Sequence, residues 1–344
     1  MEPTTNPRIR LGLCCLNMTL RKEKPSIFAS RGITLKKAME LDIAGGGMKE
    51  IQRRALENLD DLYKMIEWNE QHHIKVFRFS SEIFPHLSNP ILGELLGVEI
   101  PYSLEFAREK LQGLGALAKS YGHRITFHPG QFNQLGAESD DILKKTITDL
   151  TAHATILDMM DAPPESILVL HGGGMYCKKG DTPKEAKRKT MARWVRNYSN
   201  LPEMVRKRVV LENCEKCYSV DDLLPICLEH NIPLVFDTHH YDCYNILHPE
   251  DIQQPLTEDF FRNVCKTWGE KRVKMHISQQ GAGRVGHHSD YISALPDYLL
   301  EWCKIQPFDL MIEAKHKELA VFDLYQKYPE FVPKKRKLSI KAKQ

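Results

Sequence analysis

Side chains of the kinds that bind divalent metal ions recur along the chain, each at or just after the end of a short apolar run. The runs are RITFH, ILVLH, VVLE, LVFD, VKMH and DLMIE. The side chains at or just after their ends are His128, His171, Glu212, Asp237, His240, His276 and Glu313. Imidazole nitrogens and carboxylate oxygens are donors that suit Zn²⁺ and Mn²⁺. The set therefore predicts a catalytic centre that holds more than one divalent ion, with Glu212 and Asp237 as bridging carboxylates.

Short apolar runs that end in a polar side chain are typical of buried parallel strands. Eight such runs can be placed, at 8–13, 75–80, 124–128, 167–171, 208–212, 233–237, 273–277 and 308–313. Helical patterns alternate with them, at 49–72, 103–121, 138–159 and 219–230. The alternation predicts an α/β fold, a single-domain (β/α)8 TIM barrel over residues 8–330. The carboxyl ends of its strands would bring the candidate ligands into one pocket.

The composition is that of an ordinary globular protein. Of the 344 residues, 42% are hydrophobic and 27% are charged. No apolar run approaches the length of a membrane helix, no signal-peptide pattern opens the chain, and the nine cysteines have no regular spacing. We therefore expect an intracellular, soluble protein in a reducing compartment, with no membrane partner and with a monomer as the default state.

Positive charge is concentrated at the carboxyl end of the chain. The last eleven residues contain six of the basic side chains, and without them the net charge of +3 becomes −3. We expect residues 1–7 and 331–344 to be disordered, the latter as a basic tail. The run PKKRK (333–337) resembles a nuclear-import signal, although a solvated charge run that touches nucleic acid loosely is an equal alternative.

The segment 14–48 between the first predicted strand and the first long helix is rich in basic residues and carries three consecutive glycines. On a barrel this segment would overhang the mouth of the pocket, where it could contact a phosphate backbone. The alternative is an ordinary solvated insertion.

Three further motifs carry weaker signals. Cys214 and Cys217 form a CxxC pair, but no second pair stands at the spacing of a zinc site. The run His171–Gly174 (HGGG) is similar to a lipase oxyanion loop, yet no GxSxG motif accompanies it, so its glycines would serve close approach of the backbone. Neither a Walker loop nor a dinucleotide fingerprint is present. Spacing alone leaves open which of His239 and His240, or of His287 and His288, would bind.

Motifs around the candidate ligands resemble those of the UV damage endonucleases. The motifs are FHPGQF (127–132), VLHGGG (169–174), VLEN (210–213), FDTHH (236–240), KMHISQ (274–279), HHSDYI (287–292) and MIEAKHKE (311–318). LGLCCLNMTL (11–20) and FRFSSEIFPH (77–86) extend the resemblance to the first two strands. The resemblance covers about residues 8–320 and implies a TIM barrel with a metal centre of up to three ions, expected to be Mn²⁺ with Zn²⁺ or Mg²⁺ as alternatives.

The resemblance also implies an activity and a set of site residues. The activity is hydrolytic nicking of damaged double-stranded DNA immediately 5′ to cyclobutane dimers and (6-4) photoproducts, leaving 3′-hydroxyl and 5′-phosphate ends. The positions that match the family's metal shell are His128, His171, Glu212, Asp237, His240, Lys274, His276, His288 and Glu313. The match selects His240 over His239 and His288 over His287. Glu212 and Lys274 are the expected catalytic residues, and Lys274 matches a lysine that is carboxylated in the family.

Gln131 and Phe132 match the pair that the family inserts into the duplex at the lesion. Insertion between base pairs costs a few kcal/mol of unstacking, and less where damage has already disturbed the stack. Phe132 stands where relatives have tyrosine, and Leu13 stands where an aromatic residue is expected beside the damaged strand. These two departures bear on lesion preference and leave the nuclease chemistry unchanged.

Three other functions remain compatible with parts of the sequence. An endonuclease for abasic sites would share all the metal ligands. A metal-dependent sugar isomerase or epimerase would use the same barrel but would need a small closed pocket. A catalytically silent DNA-binding protein would rely on the basic tail.

Overall fold

The computed structural model describes residues 7–333. Residues 1–6 and 334–344 of the predicted terminal segments, and the PKKRK run beyond Pro333, lie outside the described residues. Within the described range no helix is both long and apolar enough to cross a membrane.

Eight parallel strands close into a barrel. They are β1 (Ile9–Cys14), β2 (Val76–Arg78), β3 (Arg124–Thr126), β4 (Leu168–His171), β5 (Val209–Glu212), β6 (Leu234–Val235), β7 (Val273–Ile277) and β8 (Phe308–Ile312). Five of them pair in the order β3-β2-β1-β8-β7, and three in the order β4-β5-β6. Parallel bridges between Phe127 and Leu168 and between Asp237 and His276 join the two sheets. Every strand therefore lies beside its neighbours in sequence and β1 beside β8, which confirms the predicted TIM barrel.

Helices connect the strands and cover the outside of the barrel. They are α1 (Met18–Arg21), α2 (Leu35–Glu40), α3 (Met48–Gln71), α4 (Pro90–Leu96), α5 (Arg108–Tyr121), α6 (Asp140–Met159), α7 (Pro183–Ser199), α8 (Glu203–Arg206), α9 (Val220–His230), α10 (Thr238–Leu247), α11 (Glu258–Trp268), α12 (Asp297–Ile305) and α13 (Glu318–Lys327). The longest, α3, buries residues three and four positions apart, including Ile51, Ala55, Leu59 and Leu62. This spacing forms one apolar stripe that faces the barrel.

Several helices begin at a side chain that accepts a backbone hydrogen bond. Ser139 caps α6, and Thr182 and Ser219 start α7 and α9 with reciprocal capping boxes to Glu185 and Asp222. Such caps satisfy the free amide groups of the first turn. They set where each helix starts relative to the strand end before it.

The strand predicted at 233–237 is shorter than expected, with only Leu234 and Val235 in the sheet. The side chain of Asn213 explains the difference, because it donates to the carbonyl of Asp237 at 3.0 Å and accepts from its amide at 2.8 Å. On the β5 side of Asp237 an amide side chain thus takes the place of backbone pairing, while the bridge to His276 of β7 remains. Other boundaries also differ: the helix expected from 103 begins at Arg108, after a 3-10 turn at Glu105–Ala107.

The predicted long segment 14–48 is not a featureless loop. It contains α1, α2 and a π-helical turn at Asp42–Gly47. One of its basic residues, Arg31, is used internally: its guanidinium lies 2.6 Å from the buried carboxylate of Asp61 and donates to the carbonyls of Phe28 and Ser26. That arginine is therefore part of the fold rather than a free contact for phosphate.

Side chains inside the barrel form distinct layers because alternate residues of each strand point inward. On β8 these are Asp309 and Met311, followed by Glu313 just past the strand. Met311 packs with Cys14 and Val76 in a small apolar cluster. Gly12 leaves room for it, since a Cβ there would lie 3.1 Å from the methyl carbon of Met311. Met311 and its apolar neighbours therefore lie between two charged layers, one at each end of the barrel.

The charged layer at the amino end is an arginine cluster, composed of Arg10, Arg124, Arg272 and Asp309. Asp309 is fully buried and accepts hydrogen bonds of 2.6 to 2.8 Å from all three guanidinium groups. Buried charges are tolerated when they are paired and fully hydrogen-bonded. The neighbouring arginines overcome the effect of burial and hold the pKa of Asp309 well below its usual range.

Candidate metal centre

The charged layer at the carboxyl end is built around Glu212, the last residue of β5, whose side chain is fully buried. One carboxylate oxygen lies 2.9 Å from Nε2 of His128, and the other lies 2.6 Å from Nδ1 of His276. Nε2 of His171 is 3.5 Å from the first oxygen. The ends of β3, β4, β5 and β7 therefore meet at a single carboxylate. We call the set His128, His171, Glu212, Asp237, His240, His276 and Glu313 the rim cluster.

Two groups within the rim cluster are tight enough to hold a metal ion. In one, donor atoms of His128, His171 and Glu212 all lie within 4.8 Å of one another. In the other, the same is true of Glu212, Asp237 and His276. Glu212 belongs to both groups. A carboxylate shared in this way is the geometry that a bridging ligand needs.

Asp237 and His240 are brought together by the start of α10. The carboxylate of Asp237 caps this helix by accepting the amide of His240 at 2.7 Å, and the two side chains lie 3.8 Å apart. Nδ1 of His240 is also 3.9 Å from Glu212. The ring of His239 points elsewhere, against Cys243 at 3.5 Å. Of the two histidines that spacing could not distinguish, His240 is therefore the one whose ring lies in the rim cluster.

Glu313 and Lys274 both lie beside His276. A carboxylate oxygen of Glu313 lies 3.3 Å from Nδ1 of His276 and accepts a hydrogen bond from Arg78 at 2.5 Å. Lys274 is fully buried one layer deeper, with its Nζ in contact with Nε2 of His276. Burial and the charge of Arg78 lower the pKa of Lys274 to about 8. A lysine in this position loses its charge more readily than one in water.

The electrostatics of the rim cluster favour ionised carboxylates. Burial alone would raise the pKa of Glu212, but the surrounding histidines hold it well below its usual range. Glu313 has a lowered pKa as well, against burial and because of Arg78 and His276. His240 shows the reverse, since Asp237 and Glu212 outweigh its burial and raise its pKa to about 10. The ionised carboxylates thus stabilise a protonated, positively charged imidazole in the pocket.

The residues of the rim cluster fit a divalent cation. Glu212 and Asp237 are buried carboxylates that offer oxygen donors. Among the residues that the structure describes, Nδ1 of His171 is buried without a hydrogen-bond partner, so a donor atom of the cluster remains unused. Imidazole and carboxylate donors around one small space are what Zn²⁺ and Mn²⁺ require.

Besides Lys274, three predicted site residues lie outside the rim cluster. His288 is half-buried, and its ring centroid is 5.7 Å from that of His239. Gln131 and Phe132 follow His128 on the same loop and face solvent, with Phe132 81% exposed. Phe132 is the only phenylalanine of the described range that is exposed.

Sequence reasoning did not single out Arg78, Asn213 and Glu215. Arg78 ends β2 and binds Glu313, so the rule that strand ends carry site residues would have found it if cations had been considered. Glu215 lies 4.0 Å from Nε2 of His240. Asn213 positions Asp237 through both of its side-chain hydrogen bonds. All three residues lie next to a predicted ligand, either along the chain or across the rim of the barrel.

The glycines after His171 make room for a neighbouring side chain. A Cβ on Gly172 would lie 2.6 Å from the ring of Tyr218, and Gly173 has a positive φ of 85°. The close approach expected at HGGG is therefore made by an aromatic ring of the protein itself.

Comparison with known proteins gives consistent results for sequence and structure. A model of the UV-endonuclease UvdE family matches residues 9–341. A putative UV-damage endonuclease of Acanthamoeba polyphaga mimivirus is 38% identical over 93% of this chain and 91% of its own length. The UV-damage endonuclease of Schizosaccharomyces pombe is 35% identical over 93% of this chain, which spans only 51% of that relative.

The structure of the chain is also similar to a solved one. The crystal structure of SacUVDE superposes with a TM-score of 0.74 and 25% sequence identity, covering 94% of this chain and 99% of that protein. The family match extends over nearly the whole described barrel and includes every residue of the rim cluster. The resemblance seen in the motifs is thereby confirmed, and the chain belongs to the UV-endonuclease UvdE family.

Proposed function

We propose that this chain is a divalent-metal-dependent DNA repair endonuclease that nicks duplex DNA immediately 5′ to cyclobutane dimers and (6-4) photoproducts, leaving 3′-hydroxyl and 5′-phosphate ends. Family membership supports action on UV-damaged DNA. The observation that carries the proposal is the position of Glu212, shared by two groups of donor atoms at the mouth of the barrel. Paired ions about 3.5 to 4 Å apart are the usual means of hydrolysing a phosphodiester.

The expected metal shell comprises the rim cluster with Lys274 and His288, for up to three Mn²⁺ ions, with Zn²⁺ or Mg²⁺ as alternatives. Bound divalent ions would supply positive charge for the scissile phosphate and make water more acidic. Lys274 fits this shell best in a carboxylated form, because among residues 7–333 it has no carboxylate within ion-pairing distance and lies near Arg78. Carboxylation would replace a buried cation with an anion beside the metal ligands.

The protein's own residues prepare the site for chemistry. Glu212, the expected catalytic carboxylate, is kept ionised by the surrounding imidazoles. His276 donates from Nδ1 to Glu212, which leaves Nε2 facing Lys274 and fixes the ring orientation. Arg78 donates a hydrogen bond to Glu313 and so fixes this carboxylate within the rim cluster. The donors are thus fixed before substrate arrives, so little rearrangement is needed during the reaction.

Recognition of damage is assigned to Gln131 and Phe132. Both project from the loop that begins at His128, so insertion of this pair into the duplex would bring the backbone to the rim cluster. A phenyl ring can stack on a base as a tyrosine does, without the hydroxyl. A photoproduct lowers the cost of insertion because its stacking is already disturbed.

The test is a nicking assay with Mn²⁺ on three matched duplexes: one with a single defined cyclobutane dimer, one with an abasic site, and one undamaged. The ends of the products are mapped on the labelled damaged strand. A single cut immediately 5′ to the dimer, with a 3′-hydroxyl end, is the expected result. Chelation of metal should abolish it, and added Mn²⁺ should restore it.

Other results would assign a different function. Cutting at the abasic site alone would identify an abasic-site endonuclease with the same ligand set. A protein that binds Mn²⁺ but cuts none of the three duplexes would contradict nuclease activity, and assays for sugar epimerisation would then be decisive.

A further inference from the structure

A pair of cysteines lies on the loop that follows Glu212, on the border of the rim cluster. Cys214 is buried, Cys217 is half-buried, and both are free thiols. The backbone amides of Cys217 and Tyr218 each donate to the sulfur of Cys214 at 3.2 Å. The amide of Cys214 in turn donates to the carbonyl of Tyr218 at 3.0 Å. The loop is therefore a tight turn wrapped around one sulfur atom.

The turn brings the two cysteines together, since the amide nitrogen of Cys217 lies 3.2 Å from the sulfur of Cys214. The neighbouring Cys214 thiol outweighs burial and lowers the pKa of Cys217 to about 6. A half-buried thiol of this kind is mostly thiolate at neutral pH and reacts with oxidants. Cys217 is therefore the thiol that reacts first.

The loop that carries the pair begins at one member of the rim cluster, approaches a second and packs beside a third. It begins at Glu212 itself. Glu215, between the two cysteines, lies 4.0 Å from Nε2 of His240. The ring of Tyr218 packs against Gly172, next to His171, and its hydroxyl donates to the carbonyl of Gly174 at 3.3 Å. A change in the shape of this turn would therefore move side chains on both sides of Glu212.

We propose that Cys214 and Cys217 are a redox modification site, in which a reversible disulfide between them lowers metal binding and nicking at the rim cluster. The proposal rests on the proposed function, because it concerns regulation of the same site. Disulfides in reducing compartments are typically transient and redox-sensing. The pair lies on the segment between Glu212 and Tyr218, where a covalent change has the shortest path to the ligands.

The oxidant in this proposal is a peroxide. The thiolate of Cys217 attacks the peroxide oxygen, giving a sulfenic acid and, after protonation, one water from hydrogen peroxide. The sulfur of Cys214 then attacks the sulfenic sulfur, forms the S–S bond, and releases a second water from its own proton and the departing hydroxide. Two electrons pass from the sulfurs to the peroxide. A thiol reductant returns the pair to its free form.

Disulfide formation would alter the turn because the Cys214 sulfur is now the acceptor for two backbone amides. A bond to the Cys217 sulfur would change the position and direction of this acceptor, so both amides would need new partners. Loss of a contact that orients metal ligands typically lowers metal affinity or activity about 10- to 100-fold. We expect a decrease of about 10-fold or more in both quantities.

The experiment compares the reduced and the peroxide-treated protein by three measurements. Peptide mapping after alkylation identifies any Cys214–Cys217 disulfide, titration calorimetry measures Mn²⁺ binding, and the dimer duplex measures nicking. The test variant is Cys217→Ser, and the matched control is Cys177→Ser, an exposed cysteine on the neighbouring loop. We expect the disulfide, weaker Mn²⁺ binding and slower nicking in the parent protein and in Cys177→Ser, all reversed by dithiothreitol.

Cys217→Ser should show no disulfide and no response to mild peroxide treatment. The proposal is overturned if mapping finds no Cys214–Cys217 disulfide, or if the disulfide forms while Mn²⁺ binding and nicking stay unchanged. A reduced protein that binds Mn²⁺ but never nicks would instead contradict the proposed function, and the mapping and calorimetry would still decide the redox question.

Discussion

At the amino end of the barrel Asp309 lies among three arginines, whereas at the carboxyl end Glu212 lies among four histidines. Asp309 accepts hydrogen bonds from all three guanidinium groups, each at 2.6 to 2.8 Å. The histidine nitrogens around Glu212 lie at distances from 2.6 to 3.9 Å, and only some are hydrogen bonds. Both carboxylates are buried and ionised, but the partners of the first are permanently charged and those of the second are not.

This difference separates a structural cluster from a functional one. Arginine remains protonated at every pH at which the protein is folded and has no lone pair for a cation. Histidine can be neutral and then offers a nitrogen to a metal. The arginine side chains therefore offer no donor atom to a cation, while the rim cluster has donors that gain from a bound cation. Mutation should therefore lower stability at the amino end and nicking at the carboxyl end, and the effects of metal and pH should be seen at the carboxyl end.

The largest expected effect is that of Glu212→Gln on nicking. The substitution keeps the size of the side chain but removes the shared anionic donor, and we expect the rate to fall about 1000-fold or more, equal to about 4 kcal/mol of activation free energy. Nicking of the dimer duplex under saturating Mn²⁺ measures it. The matched control is Glu165→Gln near the arginine cluster, which should nick at the parent rate. A Glu212→Gln variant with a normal rate would contradict the role of this carboxylate.

The counterpart at the amino end is Asp309→Asn, which should affect stability instead. The buried Arg124 and the partly buried Arg10 and Arg272 would lose their shared counter-charge, and we expect the free energy of unfolding to fall by about 3 kcal/mol. Urea denaturation measures this loss. Asp323→Asn, which breaks a partly exposed ion pair with Lys327, should cost about 0.5 kcal/mol or less. The rate of nicking per folded molecule should stay at the parent level. If Asp309→Asn lost nicking activity but unfolded at the parent urea concentration, the amino end would have a functional role that we do not expect.

Dependence on pH should separate the two ends in the metal-free protein. His240 has a pKa of about 10, above the ordinary value of about 6.5, so its protonation stabilises the folded state fully below pH ~6.5 and progressively less toward pH 10. The stability gap between the parent and His240→Gln should therefore narrow as pH rises, by at most about 1.4 kcal/mol per pH unit.

Asp309 provides the contrast, because its lowered pKa makes its contribution present above its ordinary pKa and lost only as pH falls through the folded value. The gap between the parent and Asp309→Asn should thus be constant from pH 6.5 to 9. Urea denaturation of chelator-treated protein at several pH values gives both gaps. If the difference in unfolding free energy between the parent and His240→Gln did not change with pH, His240 would not be protonated in the rim cluster as we infer.

The smallest expected effect is that of Phe132→Ala. Loss of one stacking ring should weaken binding of the dimer duplex by about 1 to 2 kcal/mol, or roughly 10-fold, without changing Mn²⁺ binding. Fluorescence anisotropy with labelled duplex measures the affinity. Phe132→Tyr, which keeps the ring, should bind as the parent does. Equal affinity of the alanine variant for damaged DNA would remove this side chain from lesion recognition.

The sequence predicted the barrel because each strand repeats one pattern, an apolar run closed by a polar side chain. That pattern located the ends of β3, β4, β5 and β7 well enough to bring His128, His171, Glu212 and His276 into one site. It could not predict which way a side chain turns after the strand ends. His239 and His240 are separated only by the first turn of α10, which directs one ring to Cys243 and the other to Glu212.

The arginine cluster was not predicted for a related reason. Arg10, Arg124 and Asp309 lie within predicted strands, where single charged residues suggest no particular partner. Their association depends on the closure of the barrel, which joins residues as far apart as Arg10 and Asp309. Long-range pairs of this kind have no local signature in one sequence.

The pairing of β1 with β8 determines when the barrel can form during protein synthesis. Register pairs such as Leu11 with Leu310 join the first and last strands, and Glu318 binds the backbone amides of Met18 and Thr19 from the far end of the chain. A nascent chain must therefore be synthesised through β8 before the barrel can close. Until then the carboxylate of Glu313 has not joined His276, and an unfinished chain carries an incomplete nuclease. The order of the strands thus makes the metal-binding side chains assemble only after β8 has been synthesised.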